Sequence, residues 1–281
     1  KTSGGWLDSK SSNWYDSSIG RWNGRVQDKA HGQPTLNLPL TTGSDPHKII
    51  EPAAGGNADS YENQATLKFV NNTAFQKNSS GVWIDVTADM TAKGIITYTV
   101  DKFTDQREGK QVDVTELDIE KMYASGYGPS NGIVYFSDNI AGASEYPALR
   151  VTNGAELKDG LTIASANPIY TVGDFNSVDK KPAALFGDAI TFLSDAWDDA
   201  KSAMLKTNRI ATTTTVNACY LSGDVPTATT YQNGGFQNLP RFLEVWSGKE
   251  FFWSGSAVSL WNCSQATGLW SGTYYDPPMR R

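Results

Sequence analysis

Two cysteines and two histidines in 281 residues leave little material for a metal centre. Cys219 and Cys263 are far apart, no Cys-x-x-Cys pair occurs, and His31 and His47 sit in loop-like sequence remote from both, so zinc-ligand spacing is absent. The same scarcity removes a histidine-based nucleophilic triad. No Gly-x-Ser-x-Gly elbow, His-Glu-x-x-His helix or glycine-rich phosphate cradle is present either. No apolar run approaches the length of a membrane-spanning helix. A basic excess is also missing: 24 Lys and Arg against 30 Asp and Glu give a net charge of −6, which argues against a nucleic-acid partner.

What the chain does have is short strands. Residues 160–176 (GLTIASANPIYTVGDFN) hold two apolar alternating runs with a polar bend between them and no room for a helix. Residues 132–136, 148–154 and 183–193 repeat the plan loosely. Earlier, 65–70, 82–86 and 95–100 alternate in the manner of antiparallel strands. Residues 1–60 are turn-rich, with Trp6, Trp14, Tyr15 and Trp22 as anchoring aromatics or, alternatively, a sugar-stacking face. Two short helices are expected, one within 112–123 capped by Asp113 or Thr115, and one over 194–204 capped by Ser194 or Asp195. Strands return at 211–221, 241–246, 250–254 and 257–262.

Paired strands with short bends, small residues and stacked aliphatics predict a mainly β chain. The expected form is a right-handed parallel β-helix over 131–281, with residues 1–130 as an irregular α+β portion packed on it as a cap. A β-sandwich is the alternative.

Several residue groups qualify for chemistry. Asp195, Asp198 and Asp199 have the oxygen ligands that Ca2+ takes, against a plain reading as helix caps and a solvated acidic face; no other cofactor is implied. Asp174, Asp188 and Asp195 would be the acid and base of a carbohydrate-cleaving groove if they shared a face. Arg107 and Glu108 read as a surface ion pair or a catalytic pair. Cys219 and Cys263 form a disulfide in an oxidising compartment or remain two buried thiols. Trp246, Phe251, Phe252, Trp253, Trp261, Trp270, Tyr274 and Tyr275 crowd the last quarter, partly as core and partly, with Trp246, Trp253, Trp261, Trp270, Tyr274 and Tyr275 as the candidates, as a contact surface for a protein neighbour or glycan.

Abundant Asn, Ser, Thr, Gly, Tyr and Trp suit an exported β-rich protein, so an extracellular or cell-surface location is expected. The opening without Met and the loop-like close at 276–281 suggest a piece of a longer chain, whose removed segment would supply any membrane contact.

Residues 22–28, 36–40, 103–110, 129–135, 160–176, 192–199 and 276–278, taken in that order, resemble the ectodomain of a bacterial surface family. Its members carry an N-terminal type IV pilin-like segment of the PilX kind and are associated with pilus assembly or secretion. The resemblance implies display on a surface structure and no transferable catalytic residue. A non-enzymatic structural or adhesive domain is therefore expected, with a polysaccharide-binding or polysaccharide-cleaving β-helix as the alternative.

Overall fold

The computed structural model describes residues 14–25, 27, 31–33, 46–53, 57–139, 146–222, 240–259 and 278. The chain divides into two compact units, Lys1–Leu40 and Thr41–Arg281. In the first, α1 (Trp14–Trp22) is closed by Asn23, whose N–H bonds the Ile19 carbonyl at 2.8 Å. Tyr15 stacks on the His31 ring at 4.9 Å, and Ser18 lies 2.6 Å from the His31 Nε2. Trp14 and Tyr15 thus find a ring partner, His31, inside their own unit. Trp6 lies outside the described residues.

The described residues of the second unit form fifteen strands: β1 (Leu67–Val70), β2 (Thr73–Lys77), β3 (Trp83–Asp85), β4 (Ile96–Asp105), β5 (Lys110–Asp118), β6 (Ile133–Ser137), β7 (Pro147–Thr152), β8 (Leu161–Ser165), β9 (Ile169–Val172), β10 (Ala183–Gly187), β11 (Ile190–Leu193), β12 (Thr214–Val216), β13 (Cys219–Ser222), β14 (Phe251–Trp253) and β15 (Ala257–Ser259). Its short helices are α2 (Tyr61–Gln64), α3 (Thr87–Ala92) and α4 (Ile119–Ala124). An eight-stranded sheet runs β15-β13-β10-β8-β6-β1-β2-β3, a five-stranded sheet runs β11-β9-β7-β5-β4, and β12 pairs with β14. From β6 to β11 consecutive strands go alternately to the two large sheets, so each strand lies beside the one two places away in sequence.

The architecture is therefore mixed α/β, with two largely parallel sheets and few helices, and not a right-handed parallel β-helix over 131–281 under an N-terminal cap. What overturns that expectation is the role of residues 67–118. They build both sheets directly, β1 pairing in parallel with β6 and β5 in parallel with β7, while β1–β2, β2–β3 and β4–β5 are antiparallel. A sandwich of antiparallel layers does not form either, because every strand pair joining β6 to β15 is parallel. Period-two alternation reports that one face of a strand is buried, and it is silent about which strand lies alongside.

The core sits between the two large sheets. Leu67, Phe69, Val134, Phe136, Ile163 and Leu185 from the eight-stranded sheet join Leu117, Leu149, Val151, Ile169, Ile190 and Phe192 from the other in one buried cluster. A second cluster, with Phe103, Val114, Ala148, Tyr170 and Leu193, lies on the outer face of the five-stranded sheet. A third, with Ala65, Tyr135 and Ala164, lies outside the eight-stranded one. Corners depend on left-handed backbone. Gly132 (φ +75°) lies so close to the Gly160 carbonyl that a Cβ would stand 2.6 Å from its oxygen, and Asn153 and Asn176 take φ of 53° and 52°. The Asn176 amide also donates to the carbonyls of Lys181 and Asn217, at 2.7 Å each, which ties successive corners together.

Both expected helices are corrected. Residues 110–118 are β5, and only Ile119–Ala124 is helical, capped by Asp118, which accepts from the Lys121 N–H at 2.9 Å. Val112 and Val114 suit a pleated, buried surface, and β4 and β7 supply partners on both sides. Between 194 and 204 only Asp199–Lys201 is helical, as a 3-10 helix capped by Asp198.

One core row, Leu117–Val151–Thr171–Phe192, contains a hydroxyl with no partner: Thr171 is 1% exposed and its Oγ1 is unbonded. Valine has the same shape without the polar atom. Thr171→Val is expected to stabilise the fold by about 1 kcal/mol, read as a higher midpoint in urea unfolding.

Candidate functional site

A network of ionisable groups covers the outer face of the five-stranded sheet. Strand register places Glu116, Arg150, Tyr170, Thr191 and Arg241 in one cross-strand row. Arg150 bonds Glu116 at 2.6 Å through Nε and Asp199 at 2.7 Å through Nη1, and lies over the Phe103 ring at 5.8 Å. The Trp197 indole N–H donates to the same Asp199 oxygen at 2.8 Å. The Tyr170 hydroxyl donates to Asp105 at 2.5 Å, and Asp105 also accepts the backbone N–H groups of Arg107 and Glu108. Glu108 pairs with Arg241 at 2.5 Å, not with its neighbour Arg107.

Electrostatics follow from this burial. Loss of water pushes the Tyr170 phenol well above its ordinary range, and the Asp105 charge adds to the effect. Burial opposes the Arg241 guanidinium, but Tyr146, Glu108, Asp188 and Tyr170 outweigh it and raise its pKa. A phenol held neutral and a guanidinium held charged suit bond donation and not proton exchange.

The segments laid over this face are fastened by two further groups. Arg209 donates to the carbonyls of Leu243, Ser202 and Met204. Glu244, fully buried, accepts the Ser194 N–H and hydroxyl at 2.7 Å each. Burial raises the Glu244 pKa, and the Ser194 bonds and Arg209 offset it only in part. A carboxyl with a raised folded pKa favours the folded state while protonated, so its contribution is full below about 4.5 and is lost as pH rises through the higher folded value. Glu244→Gln is expected to flatten that part of the stability curve. Thermal midpoints measured from acid to neutral pH should move toward the variant's favour as pH rises.

The candidates read from the sequence are dispersed by this arrangement. Asp199 is held by Arg150 and Trp197, Asp198 caps the 3-10 turn and pairs with Lys201 at 3.2 Å, and Asp195 is exposed with its Oδ1 against Gly173. Among the described residues no group of three or more His, Cys, Asp or Glu is arranged to hold a metal ion. Asp174 accepts the Thr215 N–H at 2.7 Å, whereas Asp188 is among the charges facing Arg241. Cys219 is exposed and free, and Cys263 lies outside the described residues.

The C-terminal aromatics separate into two sets. Trp246 is 1% exposed and meets Phe242 and Phe251 edge-on, so it is core and not contact surface. Trp253 is 38% exposed, with its indole N–H fixed to the Ala218 carbonyl at 2.9 Å and its ring on Tyr220 at 5.0 Å. Phe252, which belongs to the same aromatic crowd in the sequence, is 51% exposed because strand alternation on β14 turns it away from the buried side of Phe251. Trp261, Trp270, Tyr274 and Tyr275 lie outside the described residues.

The outer-face network was not foreseen from the sequence. Its signal is present in the sequence: Arg150 interrupts an apolar strand, and Arg241 and Glu244 flank Phe242 and Leu243. A charge in such a run needs a buried partner, but the partners lie 34 to 133 residues away along the chain.

No protein-family model matches the chain. No curated protein and no solved structure matches it. Among the described residues no helix is long and apolar enough to cross a membrane.

Proposed function

We propose that the chain is a non-enzymatic structural or adhesive domain, displayed outside the cell on a pilus-like or secretion-associated assembly and making contact through exposed apolar side chains. The observation that carries this reading is the use made of the carboxylates. Asp105, Asp174, Asp198, Asp199 and Glu244 spend oxygens on backbone N–H groups or on side chains of the same chain, which is how acids are placed when they hold a fold together. Exposed Phe252, Trp253 and Val258 supply the contact surface. The pilus-like setting rests on the sequence resemblance, and export on composition.

Two measurements test the proposal together. Antibody raised to the domain should label the outside of intact source cells in electron microscopy, and the purified domain should release no reducing or unsaturated ends from a panel of polysaccharides. Label confined to the cell interior, or turnover of any polysaccharide that is lost in Asp174→Asn or Asp188→Asn, would sink it.

A further inference from the structure

Among the described residues the eight-stranded sheet ends in two open edges. At one end is β3, which among the described strands pairs with β2 alone. The N–H groups of Val86 and Asn78 bond Ala74 and Val82, which assigns residues 82, 84 and 86 to the ladder with β2. Trp83 and Asp85 therefore turn their backbone N–H and C=O outward. At the other end is β15, which among the described strands pairs with β13 alone. There the Tyr220 N–H bonds the Ser256 carbonyl, so residues 256 and 258 face β13 and Ala257 and Ser259 face outward. Among the described residues neither outward row has a partner.

These edges match. Each is three residues long. Because β1–β2 and β2–β3 are both antiparallel, β3 runs in the same direction as β1, and hence as β6, β8, β10, β13 and β15. A strand added to β15 in the sheet's prevailing direction has the orientation that β3 presents at the opposite end. Exposed apolar side chains flank both edges, Val82 at 55% and Ile84 at 46% beside β3, and Val258 at 37% on β15.

We propose that the partner of these edges is a second copy of this chain, β15 of one copy pairing in parallel with β3 of the next. The contact is head to tail, so it leaves a free edge at each end and continues into a chain of copies. Short edges with exposed apolar flanks suit reversible association more than permanent assembly. This rests on the reading of the protein as part of a surface assembly and adds the contact that would build it.

Sedimentation equilibrium of the purified full chain tests it with two edge variants. Ile84→Lys puts a charge beside β3, and Ala257→Pro removes an outward N–H from β15 while sparing the bonds to β13. Thermal unfolding of each variant checks that the fold is kept. The wild type is expected to rise with concentration beyond twice the monomer mass, and each variant alone to stay monomeric. Mixing the variants should restore a one-to-one dimer and nothing larger, since one good β15 meets one good β3. A wild type that stays monomeric, variants that associate alone, or a mixture without dimer would each overturn stacking. A monomeric wild type with surface label leaves the proposed function standing, and chains formed by a protein labelled only inside the cell remove that function and leave stacking.

Discussion

Phe192→Ala is expected to lower the free energy of unfolding by about 3–5 kcal/mol, the range for emptying a large buried aromatic site. Phe192 is fully buried on β11, and its ring lies 5.1 Å from Phe251, 5.9 Å from Tyr220 and 6.3 Å from Phe242. It thus joins the five-stranded sheet to β13 of the eight-stranded sheet and to β14. Tyr220 and Phe251 are themselves anchored in strands and Phe242 is buried beside them, so the vacated volume cannot collapse cheaply, and the cost should fall toward the upper half of the range. Phe192→Leu refills most of the space and should cost about 1 kcal/mol. Urea unfolding distinguishes the cases, with a lower midpoint and an unchanged slope in Phe192→Ala. A loss below about 1 kcal/mol for Phe192→Ala would mean that the two sheets do not depend on this contact.

Asp105→Ala is expected to cost a comparable amount, about 3–4 kcal/mol, by a different mechanism. Asp105 is fully buried and accepts the Tyr170 hydroxyl together with the N–H groups of Arg107 and Glu108. Removing it strands a buried phenol and two backbone donors, and it takes away a negative charge from a face that keeps Arg241. Tyr170→Phe removes only the donor and should cost about 1 kcal/mol. Because the damage in Asp105→Ala includes the orphaned phenol, the double variant should be less destabilised than the sum of the singles by about 1–2 kcal/mol. Additive effects would show that the Asp105–Tyr170 bond contributes nothing beyond its separate parts.

The same residues mark how far the sequence can be read. Alternation in 160–176 identifies β8 and β9 and the bend between them, since side chains two apart on a strand meet one environment. The helix expected within 112–123 fails for a tertiary reason. Val114, Leu117, Met122 and Tyr123 fit a helical face in isolation, but pairing of residues 110–118 with β4 and β7 satisfies their backbone across strands and leaves helix only after Asp118. Asp198 and Asp199 look like one acidic patch because they adjoin in sequence, yet Arg150, 49 residues from Asp199, takes that carboxylate away from its neighbour.

The amino-acid sequence by itself determined where many of the strands lie, β8 and β9 among them, and which of their faces are apolar, because both follow from local steric and solvation preferences, whereas the strand expected over 241–246 is reduced to isolated bridges at Arg241 and Val245. Only the tertiary structure decided that strands alternate between two sheets, that residues 67–118 belong to those sheets, and that Arg150, Arg241 and Glu244 are consumed in fastening the outer face. Those outcomes depend on backbone and side-chain partners remote in the chain, and a local pattern can record that a group needs a partner without recording which one it finds.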